Sequence, residues 1–180
     1  MAALLAAGCA AFTTTAQAQH TYPLNLDPTV REGFQHFYEL DYDGALSRFD
    51  SVLKAHPQDP MAVGYVLMTT IFRELYQVDL LDTTYYAREN FLSSGRKVEI
   101  PRDIRQRVED LTNGAIGLAD ARIKANPNDK DAYFARGYAK GMHAAWVTFV
   151  DHSYAGAARQ GWQSPPGTAR PAHARRPRCG

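Results

Sequence analysis

The sequence predicts an all-α protein in which antiparallel helix pairs stack as a short α-solenoid of about seven helices. Apolar residues recur at helical spacing between Asp27 and Gly161, and strand-like alternation does not interrupt them. Aspartate followed by proline opens two of the apolar stretches, as is typical of a helix N-terminus. Two similar helix stops, His56-Pro57-Gln58-Asp59 and Asn126-Pro127-Asn128-Asp129, place their prolines 70 residues apart. That spacing is about two periods of a 34-residue helical repeat.

Each predicted helix has its own start and stop signals. The first begins at the Asp27 cap and ends near Leu40, and the second begins at Asp43 and stops at Pro57. Asp59-Pro60 opens the third helix. The remaining helices are predicted at residues 81–92, 102–125, 130–149 and 151–159, with a loop at 93–101. The helix at 102–125 has an alternative interpretation as two helices with a break near Asn113-Gly114.

Residues 1–18 have the composition of an export signal. Ala2 to Phe12 is a run of small and apolar residues, and Ala16-Gln17-Ala18 has the form of a signal-peptidase site. The basic start of such a signal is missing after Met1, which leaves open a true start upstream. Leu5 to Cys9 resembles a weak lipobox, so a lipid anchor at Cys9 is one alternative and a disordered alanine-rich tail is another.

We therefore expect an exported protein, periplasmic or secreted, with lipid-anchored and cytoplasmic locations as the alternatives. Residues 19–26 are expected to form a flexible lead, and residues 27–161 the helical domain. Since no stretch after Phe12 is long and apolar enough, no membrane span is expected in that domain.

Residues 162–180 differ in composition from the helical domain. Proline, alanine, arginine and glycine dominate, and the segment is predicted to be disordered because it has too few apolar residues for a core. We favour a shifted reading frame or a truncated gene as its origin. A genuine basic tail that touches an acidic surface is the alternative. The four arginines in the segment are Arg170, Arg175, Arg176 and Arg178.

Without those four arginines, 16 of the 20 basic residues remain against 19 acidic ones. A slightly acidic body without a basic stripe does not fit nucleic-acid binding. The histidines and carboxylates also form no recognised metal or catalytic motif. His143 and His152 are nine residues apart, and we interpret Glu39, Asp41 and Asp43 as charges that cap the second helix. Neither a metal nor a cofactor is therefore expected, and catalysis is the weaker hypothesis.

The first helix pair resembles the tetratricopeptide repeat (TPR) family. Gly33 matches the glycine of the family's first helix, Tyr42, Ala45 and Phe49 match its second helix, and Pro57 matches its terminal proline. The chain departs from the family pattern before and after the glycine, where the usual tryptophan, leucine and tyrosine are replaced. The residues at those positions are Thr29, Glu32 and His36.

A second, looser match covers residues 130–161, where Gly137 is the glycine and Tyr154 and Ala157 are the second-helix pair. It follows the stop that contains Pro127, and it requires an insertion of about two helical turns. The intervening residues 60–125 keep the helix rhythm but carry few signature residues. A generic helical bundle is the alternative architecture.

The resemblance implies a non-catalytic scaffold or adaptor that binds a protein or peptide on a concave face lined by the first helix of each pair. The positions are apolar, so an apolar helix or extended segment is the expected partner, and methionines there could repack around varied partners. The alternative is that these side chains form the core. A self-associating structural module, such as a homodimer, and an enzyme with a helical cavity are the rival functions. The expected groove residues are Val30, Phe34, Phe37, Tyr38, Met61, Met68, Ile71, Phe72, Phe134, Tyr138 and Met142.

Overall fold

The computed structural model describes residues 21–82 and 98–151 of the 180-residue chain. These ranges contain five α-helices and no strand, which confirms the predicted all-α class. The predicted export signal, the segment 162–180 and nearly all of the helices predicted at 81–92 and 151–159 lie outside the described residues. The helices are α1 (Pro28–Tyr38), α2 (Tyr42–Ala55), α3 (Pro60–Gln77), α4 (Arg102–Ala125) and α5 (Lys130–Asp151), and a 3-10 helix, η1 (Pro23–Leu26), precedes α1.

Aspartate side chains cap the starts of four helices. Asp27 Oδ1 accepts a hydrogen bond from the Thr29 backbone N–H at 2.7 Å, and Asp59 Oδ1 accepts one from Met61 at 2.8 Å. Asp129 Oδ1 does the same for Ala132 at 2.9 Å. A cap of this kind satisfies one of the free N–H groups of the first turn and stabilises the helix by about 0.5–2 kcal/mol. The predicted caps at Asp27 and Asp59 are thus confirmed.

The start of α2 is set by Asp41 rather than by the predicted Asp43. Asp41 Oδ1 accepts from the Gly44 N–H at 3.0 Å, and its other oxygen lies 2.7 Å from Nδ1 of His36. The hydrogen bond from Gly44, and then the one from His36, lower the pKa of the Asp41 carboxyl. Leu40, at φ 64°, closes the turn between α1 and α2 in the left-handed region. Of the three carboxylates at this turn, Asp41 therefore caps α2, and Asp43 lies in its first turn, where a negative charge is favourable.

The long helix α4 is continuous through Asn113 and Gly114, so the alternative break is not observed. Its buried stripe of Val108, Thr112, Ala115 and Ala119 runs along the middle of the helix, on both sides of Gly114. Because the stripe keeps helical spacing across Gly114, packing compensates for the low helix propensity of that glycine.

Helix α3 lies at the centre of the fold. It packs against α2, α4 and α5, while α1 packs on α2 and α4 packs on α5. Residues 60–71 are buried without interruption, which an amphipathic surface helix would not show. Two core clusters meet at α3, one with α1 and α2 and the other with α4 and α5.

Residues 21–26 differ from the flexible lead that the sequence predicted. Tyr22 and Leu24 are buried, and the Tyr22 hydroxyl donates to Asp59 Oδ1 at 2.7 Å. The Tyr65 hydroxyl donates to Asn25 Oδ1 at 2.5 Å. These side chains bind partners 37 and 40 residues further along the chain, a distance over which no local pattern gives a signal.

Candidate interaction surface

Seven of the eleven expected groove residues are fully or partly exposed, and they lie on three helices that pack side by side. We call these seven the aromatic strip. The ring centroids of Phe37 on α1 and Phe72 on α3 are 5.2 Å apart. The Tyr138 hydroxyl on α5 lies 2.8 Å from Sδ of Met68 on α3, so α3 joins the two outer helices. The strip consists of Phe34, Phe37, Tyr38, Phe72, Phe134, Tyr138 and Met142.

The other four expected groove residues are buried in the structure. Val30, Met61 and Met68 belong to the cluster with α1 and α2, and Ile71 belongs to the cluster with α4 and α5. Their side chains support the strip from beneath and are not exposed on it. The sequence pattern suggested one apolar face for α3, whereas the fold covers this helix on several sides.

Tyr65 belongs to the base of the strip, although the sequence analysis did not include it. Its ring centroid lies 5.4 Å from that of Phe34 and 5.3 Å from that of Phe49. Burial raises the pKa of its hydroxyl well above the ordinary tyrosine value. Helical spacing could have identified it, because Met61, Tyr65 and Phe72 fall at positions i, i+4 and i+11 of one face.

The two ends of the strip are open to solvent. The Tyr38 side chain on α1 is 76% exposed and Phe134 on α5 is 54% exposed. Between them, burial and then the nearby Tyr38 raise the pKa of the Tyr138 hydroxyl. Large aromatic rings that stay exposed next to one another are typical of surfaces that bind a partner.

Further apolar side chains extend the exposed surface beyond Tyr38. Leu40 and Tyr76 are both about half exposed, and the Tyr76 ring lies 5.6 Å from that of Tyr42. Leu40 and Tyr76 border a pocket of about 300 Å³ together with Leu81 and two aspartates, Asp79 and Asp82. The aromatic strip therefore continues into a shallow apolar recess at the α1–α2 turn.

A polar cluster lies near the opposite end of the strip, where the two similar helix stops meet. Arg122 of α4 pairs with Asp129 at 3.0 Å, and its Nη1 donates to the Tyr22 hydroxyl at 3.3 Å. The same guanidinium lies 4.0 Å from Asp59, which accepts from Tyr22. The hydrogen bond from Ala132, and then the one from Arg122, lower the pKa of the Asp129 carboxyl. The aspartates of the two stops thus share one cation as well as capping their helices.

The repeat-signature residues have different surroundings in the two matched units. A Cβ on Gly33 would lie 2.6 Å from the Phe49 ring, so α1 and α2 approach as closely as a glycine allows. Tyr42, Ala45 and Phe49 are buried on α2, and Pro57 and Pro127 are exposed in the turns after α2 and α4.

Gly137 does not make the corresponding close approach. It is exposed, and a Cβ there would meet no atom of the described chain within 4 Å. Buried alanines on other faces of α5 bring this helix close to its neighbours instead. Tyr154 and Ala157 lie outside the described residues.

Among the ionisable groups that the sequence singled out, His143 pairs with a carboxylate on the neighbouring helix. Its Nε2 lies 2.7 Å from Glu109 Oε1, and the imidazole is buried between α4 and α5. Within residues 21–82 and 98–151, no three histidine, cysteine or acidic side chains come together as metal ligands would. None of the described helices is both long enough and apolar enough to cross a membrane.

The chain has no match among protein-family models, curated proteins or solved structures.

Proposed function

We propose that the protein is a non-catalytic interaction module that binds an apolar helix or extended peptide segment across the aromatic strip. The observation that supports this proposal most directly is the exposure of Tyr38 and Phe134 at the two ends of a strip that three helices build. An aromatic ring loses little conformational entropy on binding and offers a large contact area, which makes it an effective anchor for a partner.

The charges next to the strip favour apolar over ionic recognition. Arg73, one residue after Phe72, already pairs with Asp43 and Glu74 at 3.2 and 3.1 Å. Arg136, about 200° around α5 from Phe134 and so off the strip, pairs with Asp120 at 3.0 Å. Because these cations are engaged within the fold, a partner would gain little from carboxylates placed opposite them.

We further propose that the helices are degenerate TPR-like pairs in solenoid order. In this arrangement α1 pairs with α2, α3 pairs with α4, and α5 begins a third pair. The packing of α3 against both α2 and α4 supports this order, as does the occurrence of the two similar stops after α2 and after α4. Residues 78–101 would then be an insertion within the second pair, and the strip would lie on the first helices of all three pairs.

A displayed library of random peptides of about 15 residues, long enough for a few helical turns, tests the binding proposal. Selected peptides are synthesised with a fluorophore, and their affinity for the full chain is measured by fluorescence anisotropy. Tyr38→Ser and Phe134→Ser should each weaken binding by about tenfold or more. Truncating an aromatic anchor that the bound peptide covers removes more than about 1.4 kcal/mol of binding free energy.

Tyr133→Ser provides the matched control. Tyr133 is also an exposed aromatic residue of α5, but its ring contacts the Arg136 guanidinium and is not part of the strip. Binding should be unchanged in this variant. The proposal would be refuted if the selected peptides bound both strip variants as tightly as the parent chain. It would also be refuted if Tyr133→Ser weakened binding as much as the strip substitutions do. A dimer mass by light scattering that reverts to monomer in Tyr38→Ser would instead indicate self-association through the strip.

A further inference from the structure

A second surface, separate from the aromatic strip, lies between α2 and α4. The two helices flank α3 and leave an open groove of about 580 Å³. Val63 and Val66 of α3 form part of its floor. At about 100° per residue, Val63 lies nearly opposite Tyr65 and Phe72 on that helix, and Val66 lies about 100–120° around the axis from them. Leu53 of α2 and Leu111 of α4 complete the apolar floor. An occupant of this groove would therefore not compete with one on the strip.

The rim of the groove is acidic. Asp50 of α2 and Asp103 and Asp110 of α4 border it, with Arg107 as the one cation among its lining residues. Gln106 donates to Asp110 at 2.9 Å, whereas Asp50 and Asp103 have no ion-pair partner within the described part of the chain. An apolar floor beneath unpaired carboxylates fits a segment that carries both an aromatic residue and positive charge.

The chain itself carries a segment with that chemistry. Residues 152–180 contain five arginines and no acidic residue, and their large aromatic side chains are Tyr154 and Trp162. Their departure point is close to the groove, because Asp151 at the end of α5 accepts a hydrogen bond from Arg105 at 2.7 Å. Arg105 lies on the first turns of α4, about 200° around the helix axis from Asp103 of the groove, so Asp151 is about one helix width from the groove.

The distance to be crossed is short. Ten residues separate Asp151 from Trp162, and an extended chain of that length spans about 33 Å. An α-helix with its side chains is about 10–12 Å across, so the segment can pass over the start of α4 and reach the groove with chain to spare.

We propose that residues 162–180 dock in the groove between α2 and α4, with Trp162 on the apolar floor and the arginines against the acidic rim. This proposal does not depend on the function assigned to the aromatic strip. It also gives the genuine-tail interpretation of this segment a specific acidic surface to contact. The contact is electrostatic in part, so added salt should weaken it.

Paramagnetic relaxation in the full chain tests the proposal. Cys9 is replaced by serine, a nitroxide label is attached to Cys179, and the ¹⁵N-labelled amide signals are recorded before and after reduction of the label. The amides of Leu53, Gln106 and Leu111 should lose most of their intensity while the label is paramagnetic. Raising the salt concentration to about 1 M should restore part of the lost signal intensity, because the Debye length there is about 3 Å and the charges are screened.

Three further samples test the site and its occupant: two charge-reversed variants and one mixture of two chains. Asp50→Lys combined with Asp103→Lys should abolish the broadening, whereas Asp120→Lys, on the same helix but outside the groove, should leave it unchanged. The spectra also report whether each variant is folded. Broadening that survives the groove substitutions, or no broadening in the parent chain, would overturn the proposal. A further sample mixes nitroxide-labelled chain at natural isotope abundance with ¹⁵N-labelled chain that carries no nitroxide. Broadening in this mixture would assign the groove to the tail of a second copy, and this result would also overturn the proposal.

Discussion

The helices on one side of α3 pack through aromatic rings, whereas those on the other side pack through aliphatic side chains and alanines. Between α1, α2 and α3, the rings of Phe34, Phe49 and Tyr65 meet at centroid distances of 5.3–5.4 Å. Between α3, α4 and α5, aliphatic residues of α3 such as Leu67, Ile71 and Leu75 provide the bulk together with Trp146, and they pack against fully buried alanines of α4 and α5. The buried alanines of α4 and α5 are Ala115, Ala119, Ala132, Ala135 and Ala139.

The difference explains why the proposed binding strip is aromatic and one-sided. Phe34, Phe37 and Phe72 pack edge-on against neighbouring rings and are only partly buried, so part of each ring lies outside the core. An alanine is covered completely when two helices approach, so it contributes close packing but no exposed surface. The ring-packed side can thus serve both stability and recognition, while the alanine-packed side fixes the distance between long helices.

The largest effect is expected from truncating the centre of the ring cluster. Phe49 is fully buried, and its ring packs against Phe34, Tyr65 and the surface of α1 at Gly33. Phe49→Ala should lower the free energy of unfolding by about 3–5 kcal/mol, because it removes apolar contact and leaves a cavity. Urea unfolding followed by circular dichroism measures this change. Phe134→Ala, which truncates an exposed ring, is the control and should stay within about 1 kcal/mol. Equal losses in the two variants would show that the rings do not form a cooperative core.

A smaller loss is expected from enlarging a residue on the alanine-packed side. Ala139 of α5 is fully buried, in the cluster shared by α3, α4 and α5. Ala139→Leu should destabilise the protein by about 1–3 kcal/mol, because the helices must move apart to admit the larger side chain. The same substitution at Ala121, an exposed position of α4, should be close to neutral. A stable Ala139→Leu variant with an unchanged unfolding midpoint would contradict the close packing described for this side.

The smallest effect distinguishes the two glycines that the repeat pattern treats as equivalent. Gly137→Ala should raise the free energy of unfolding by about 0.5–1 kcal/mol, because a Cβ there meets no described atom and alanine favours the helix. Gly33→Ala should lower it instead, since its Cβ would lie 2.6 Å from the Phe49 ring. Thermal unfolding of the two variants gives the signs directly. The same sign in both would mean that the close approach of α1 and α2 is not tighter than that of α5 with its neighbours.

Part of the strip could be predicted from the sequence and part could not. Phe34, Phe37 and Phe72 were identified because apolar residues at helical spacing mark a face that contacts something. The same spacing identified Met61 and Ile71, yet these two are core residues. Spacing along one helix defines a face but not what covers it, so the distinction between a groove and a core required the neighbouring helices.

The sequence by itself determined the all-α class, the approximate helix bounds and the caps at Asp27 and Asp59, because hydrogen bonds between residues two or three positions apart depend only on the local chain. Tertiary structure alone decided that α3 is covered by three other helices, and that Arg122 joins Asp129 to Tyr22, 100 residues away. It also decided that Gly33 is crowded while Gly137 is open to solvent. These features arise where segments distant in sequence come into contact, and a pattern within one segment carries no information about which distant segment will meet it.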